Sequence, residues 1–211
     1  GDFLLVAYLL GLARFLTVAA ALDTGSSFEG MGASREVLFS TLAEPALLLS
    51  LITLAAASPG ASLSAIYAGI DSAVLASGAG PALVLVMAAL LIVLLSENAR
   101  IPIDDPATHL ELTMIHEVMV LDHGGPDLAL IHYASSLKLW LFGALLVGLA
   151  LPLRSGFFLL DLLGGIAGLA IVAVIVGLAE SVMARLRLAR VPQLLVAASV
   201  LSVVALVLVM R

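Results

Sequence analysis

The sequence predicts an all-α polytopic membrane protein, and three observations carry that prediction. Of its 211 residues, 63% are apolar and only 11% are charged, whereas a soluble domain carries about 25% charged residues. Too little polar surface remains to cover a water-soluble globule, so lipid must be the solvent. Six apolar runs come close to or exceed the roughly 20 residues a helix needs to cross the hydrocarbon. The most charge-rich stretches fall in the connections between those runs.

The runs, in order, are Asp2–Leu22, Arg35–Ala57, Pro81–Ser96, Leu128–Leu151, Phe157–Met183 and Val191–Met210. Asp23–Ser34, rich in glycine and serine, reads as a loop between the first two. Ala61–Ser77 holds Tyr67 and Asp71 among small residues and reads as an interfacial or partly buried segment, not a span. The third run is short and is expected to continue through Glu97 until Pro102 stops it. Asn98–Pro126 is the longest polar stretch. Within it Leu110, Met114, Ile115, Val118 and Leu121 have helical spacing, which predicts an amphipathic helix with Glu111 and His116 off the apolar stripe. A short turn lies near Pro152–Gly156. Gly164–Gly168 (GGIAG) has the small-xxx-small spacing that lets a helix approach closely. Arg185–Arg190 (RLRLAR) is a basic turn before the last run. Residues 1–211 are expected to form one transmembrane domain.

The arginines set the orientation. Alternating the connections puts Arg35, Arg100, Arg185, Arg187 and Arg190 on one side and Arg154 and Arg211 on the other. The positive-inside rule makes the first side cytoplasmic.

Several functions are excluded or unsupported. With no cysteine, the chain cannot ligate an iron–sulfur cluster, build a thiolate zinc site or use a cysteine nucleophile. A net charge of −6 and no basic block argue against nucleic acid. His116 and Glu117 are adjacent and lack the H-E-x-x-H spacing of a metal site, and no phosphate-binding glycine loop or nucleophile elbow occurs. No self-contained catalytic site is evident.

The informative residues are the charges inside the runs, since an ionisable side chain in hydrocarbon costs roughly 2.5–3.5 kcal/mol on insertion scales. Glu36 and Glu44 lie on one helix, roughly 12 Å apart along the axis and rotated by about 80°. They can belong to one hydrated path, with Pro45 freeing the Thr41 carbonyl beside Glu44. Glu44 is read as a proton-titrating site, or else as a buried carboxyl neutral or paired with an arginine. Arg14 either snorkels or pairs with a carboxylate such as Glu44; Lys138 poses the same question. Glu180 either pairs locally with Arg185 or has a role of its own. Arg35 and Glu36 sit at the membrane edge.

The segment Glu97-Asn-Ala-Arg100-Ile-Pro102-Ile-Asp104 resembles the E-x-x-R-x-P-F-D signature of the quinone-end membrane subunit of respiratory complex I. The continuation DDPATHLELTMIHEVMVLDHGG is more similar to the branch containing the membrane anchors of energy-converting nickel–iron hydrogenases and formate hydrogenlyases. The Arg35/Glu44 spacing and the turn ARLRLARVPQLL fit the same family, so the resemblance covers nearly the whole chain. It departs at Ile103, where Phe is usual, at His109, where complex I tends to have a carboxylate, and at Asp122-His123-Gly124-Gly125, where complex I has E-Y-S-G.

The resemblance implies about eight spans, so two are expected to precede these six. It implies a membrane subunit that anchors a soluble electron-transfer arm through residues 98–126 and couples redox turnover to proton or sodium movement. The proton-coupling candidates are Glu36, Glu44, Glu97, Glu111, Glu117 and Glu180. The arm-docking or loop candidates are Arg35, Arg100, Asp104, Asp105, His109, His116 and Asp122. No cofactor is expected in this chain; iron–sulfur and nickel–iron centres would belong to partners, and quinone is the alternative ligand. The implied partners are hydrogenase-like large and small subunits, a ferredoxin-like iron–sulfur protein and antiporter-like membrane subunits, in a prokaryotic cytoplasmic membrane. The alternatives are a quinone-site subunit of an NADH–quinone oxidoreductase, a stand-alone ion transporter and a passive anchor.

Overall fold

The computed structural model describes residues 2–70, 79–104, 114–152 and 156–211. Among them, six helices are long and apolar enough to cross a membrane. These are α1 (Asp2–Asp23), α2 (Ser27–Ala56), α4 (Gly80–Glu97), α5 (Gly125–Ala150), α6 (Phe158–Val182) and α7 (Val191–Met210), with a short α3 (Leu63–Gly69) between α2 and α4.

Three of them make the core. α2, α4 and α7 pack on one another, α1 lies on α2, α5 on α4, and α6 on α5. Ala43 and Ala46 of α2, Ala82 and Ala89 of α4, and Ala198 and Ala205 of α7 are buried. Lipid offers no hydrophobic force to join helices, so close packing of small side chains and interhelical hydrogen bonds must hold them. Ser50 and Ser202 supply one such bond, 2.9 Å across the α2–α7 contact. Gly168 supplies a close approach: a Cβ there would strike Val147 of α5 and lie 3.3 Å from Leu151 Cδ1.

The six spans agree with the sequence reading except at their ends. Residues 27–34, expected as loop, are the first two turns of α2, which runs 30 residues. Glu29 in the first turn complements the helix dipole. Gly32 is there for contact: a Cβ would collide with Val118 and stand 2.9 Å from the Ile115 carbonyl oxygen. α4 stops at Glu97, well short of Pro102, so the proline does not end it. Instead Ala99 adopts a left-handed φ of 49°, and the Arg100 N–H donates back to the Leu95 carbonyl at 2.9 Å. The expected amphipathic helix at Leu110–Leu121 differs too. Residues 110–113 lie outside the described residues, and the rest is a bend leading into a 3-10 turn, Glu117–Val120. Ile115, Val118 and Met119 are buried, so this segment is packed down onto α2 instead of floating as an independent helix.

The polar connections meet at one end of the bundle. The Arg35 guanidinium donates to the Met114 carbonyl at 2.9 Å, the Leu186 N–H donates to the Pro102 carbonyl at 2.9 Å, and the Asp122 N–H donates to Glu29 at 3.0 Å. Six spans are an even number, so Asp2 and Arg211 lie at the opposite end.

Gly32→Ala should therefore lower the apparent Tm, followed through the fluorescence of the single Trp140, by the equivalent of about 1–3 kcal/mol of overpacking. Gly165→Ala, where a Cβ meets nothing within 4 Å, should leave it unchanged or raise it.

Candidate functional site

α1 turns Arg14 inward against α2, where only 9% of its side chain is exposed. It lies nine residues before Asp23, roughly 13 Å along the axis from the polar end. A guanidinium at that depth must be paired. Its Nη1 is 2.7 Å from Glu44 Oε1, its Nη2 2.5 Å from Glu97 Oε1 and its Nε 3.7 Å from Glu36 Oε1. The planar fork suits this geometry, because it reaches two carboxylates two turns apart on α2 and a third at the end of α4. Glu97 also faces Lys138 Nζ of α5 at 3.6 Å. Glu36 also faces His116 Nδ1 at 3.5 Å.

Among the described residues, three carboxylates thus meet one guanidinium and one ammonium, with the His116 ring beside Glu36. Glu36 and Glu97 are nearly sealed, at 8% and 4% side-chain exposure, while Glu44 is 50% exposed on the outer wall of the bundle. One guanidinium thus joins two sealed carboxylates to one open on the bundle surface.

Asp104 ties the cluster to the polar end. Its Oδ2 accepts the Ile115 N–H at 3.1 Å and the His116 N–H at 3.4 Å, and its Oδ1 pairs with Arg185 at 2.9 Å. One carboxylate therefore fixes both the segment that carries His116 and the turn before α7. Arg100 pairs with Glu180 at 3.1 Å. Two spaces adjoin these residues. A groove of about 560 Å³ between α1 and α5 has apolar walls and a polar patch of Arg14, Glu36, His116 and Lys138. A cavity of about 10 Å³ is lined by Glu36, Ser40, Ser96, Glu97, Asp104 and His116 among others.

Residues 1–210 match the model of the family described as NADH dehydrogenase. The chain belongs to that family. Two curated relatives accompany this NADH dehydrogenase family match. Hydrogenase-4 component C of Escherichia coli (strain K12) is 33% identical over 193 residues, 88% of this chain and 59% of that protein. Formate hydrogenlyase subunit 4 of the same organism is 30% identical over 200 residues, 92% of this chain and 64% of that protein. The chain thus spans about 60% of the length of these relatives.

Of the residues the sequence singled out in this NADH dehydrogenase family member, Glu36, Glu44, Glu97 and His116 come together around Arg14. Arg14 takes the pairing alternative and does not snorkel. Glu44 is paired with an arginine but open, not buried. Asp104 and Arg35 hold the 114–116 segment. Glu180 does not pair locally: Arg100 takes it, and Arg185 goes to Asp104, because the turn after α6 folds back over the signature loop. Glu117 is half-buried outside the cluster, and Asp122 is exposed, contributing its N–H. Asp105, His109 and Glu111 lie outside the described residues. Among those described, no three His, Asp or Glu side chains are arranged to hold a metal.

Lys138, left open between snorkelling and pairing, pairs with Glu97, and Glu29 was missed as a partner. Glu29 is wholly buried, and its signal was available: it lies seven residues before Glu36, on the same helical face, which becomes visible once α2 is extended upward.

Arg14→Met should destabilise the protein by about 3–5 kcal/mol, because it removes the guanidinium shared by Glu36 and Glu97 and leaves Glu97 only Lys138. Adding Glu97→Gln should restore part of that loss. Thermal unfolding of the two single variants and the double variant measures the coupling.

Proposed function

We propose that this chain is a membrane subunit of a multisubunit redox complex of the hydrogenase-4 or formate hydrogenlyase type. In it, the chain anchors an electron-transfer arm at its polar end and couples redox turnover to proton or sodium movement. Hydrogenase-like subunits and a ferredoxin-like protein would carry the nickel–iron and iron–sulfur centres, and antiporter-like membrane subunits would flank the chain. The polar end would face the cytoplasm of a prokaryotic cell, as the arginine distribution favours.

One observation carries this reading: an unbroken series of contacts from the polar end into the membrane. Asp104 holds the His116 backbone, His116 faces Glu36, and Arg14 joins Glu36 to Glu97 and Glu44. A redox change in a docked arm that shifts residues 114–116 would move His116 against Glu36 and alter how the cluster shares its charge. Glu44, open on the outer wall, is then the exit toward a neighbouring subunit. In the intact complex, Glu44→Gln and Glu97→Gln should each keep electron transfer but lower ion translocation per turnover by about tenfold or more, as loss of a proton-transfer group implies. Translocation at the native ratio in both variants would sink the coupling role.

A second reading rests on the groove. An apolar slot that also carries cationic and carboxylate side chains is what a quinone head and tail would need, and it supports a quinone-site subunit of an NADH–quinone oxidoreductase. A photoreactive quinone analogue should then label α1 or α5 in the active complex. A fully active complex that takes up no label on this chain would count against it.

A further inference from the structure

The groove and the small polar cavity are separate spaces, and among the described residues only Glu36 and His116 line both. Their side chains face each other at 3.5 Å, and His116 Nδ1 is buried without a hydrogen-bond partner among the described residues. A contact of that length with an unused nitrogen is not a settled structural bond. We infer that the His116 ring and the Glu36 carboxyl form a gate between the lipid-facing groove and the small polar cavity lined by Glu97 and Asp104.

The two sides of the gate differ in chemistry. The groove is walled by Leu9 and Leu10 of α1 and by Leu130, Ile131 and Leu141 of α5. The cavity is lined by carboxylates and the hydroxyl-bearing Ser40 and Ser96, with apolar closure from Phe39, Ile103 and Ile115. At about 10 Å³ it is near the size that one water occupies, and its lining offers that water several partners. The gate residues are also mounted unequally. Glu36 sits on α2 in the core, whereas His116 sits on an irregular segment whose backbone is held by Asp104. The ring is therefore the moving leaf. Swinging it away from Glu36 joins the two spaces, and that swing is controlled from the Asp104–Arg185 contact at the polar end. The purpose of the gate rests on the coupling role proposed above; its geometry does not.

The chain has no cysteine, so Ser96→Cys, buried at 7% exposure in the small cavity, gives a single reporter on this subunit. The probe is methyl methanethiosulfonate, small and uncharged, applied to the intact purified complex, with modification read on the Ser96 peptide by mass spectrometry. Labelling should be slow with His116 present and about tenfold faster after His116→Ala, the size of change a lost local closure gives. His116→Phe, which keeps a ring, should stay slow. Leu10→Trp added to His116→Ala should slow it again by filling the groove. Equal rates with His116 and with His116→Ala would overturn the gate, and so would equal acceleration by the Ala and Phe variants, which would mean that the whole segment had loosened. If labelling follows the prediction but His116→Ala leaves ions moved per turnover unchanged, the gate stands and the coupling reading falls.

Discussion

A guanidinium inside hydrocarbon cannot be left to itself, and Arg14 imposes that condition on every helix around it. It needs carboxylates within hydrogen-bond reach, and no single neighbouring helix presents enough of them at one depth. α2 gives Glu36 and Glu44, and α4 must end where Glu97 can reach the second amine. Glu97 in turn carries more negative charge than half an arginine balances, and α5 answers with Lys138. The positions of α1, α4 and α5 around α2 follow from satisfying this one group. Excess carboxylate at such a site is a stability cost in a protein that only needs to fold, which is a physical argument in favour of the charge-moving role proposed above.

The polar end obeys a related logic. The connection after α4 is long and polar and would be expected to wander, yet several side chains pin it: Asp104 by two N–H groups, Arg35 by the Met114 carbonyl, Glu29 by the Asp122 N–H. The missing side chain at Gly32 lets the segment come down onto α2. These ties all meet on α2 or on the signature loop, and His116 sits among them, facing Glu36. The α6–α7 turn joins the same system through Arg185.

Much of this was legible in the sequence. Span number and order followed from bulk hydrophobicity, which is an integrated signal over some twenty residues and survives local irregularity. The carboxylates of the cluster stood out because charges in apolar runs are rare. What escaped reading was set by contacts distant in sequence. Glycine and serine made 27–34 look like a loop, although Gly32 is small for the sake of Val118 and Ile115, far along the chain. Apolar spacing at 110–121 suggested an amphipathic helix, yet Ile115, Val118 and Met119 are buried while Leu121 stays exposed, and the described part forms only a 3-10 turn. Glu180 and Arg185 were near enough in sequence to suggest a pair, but the chain reverses between them and each finds a partner across the bundle. Pairing of charges is a matter of which helices adjoin, and hydropathy does not encode adjacency.

The central claim is that the carboxylates around Arg14 change protonation as the partner complex turns over. Redox-induced infrared difference spectroscopy of the intact complex tests it most directly, since a carboxyl group that gains or loses a proton changes its carbonyl stretch. The account predicts a protonated-carboxyl band that appears and disappears with turnover, shifts in heavy water and is lost in Glu44→Gln or Glu97→Gln. A difference spectrum in which no carboxyl band responds to turnover, or one that is identical in both variants, would contradict it.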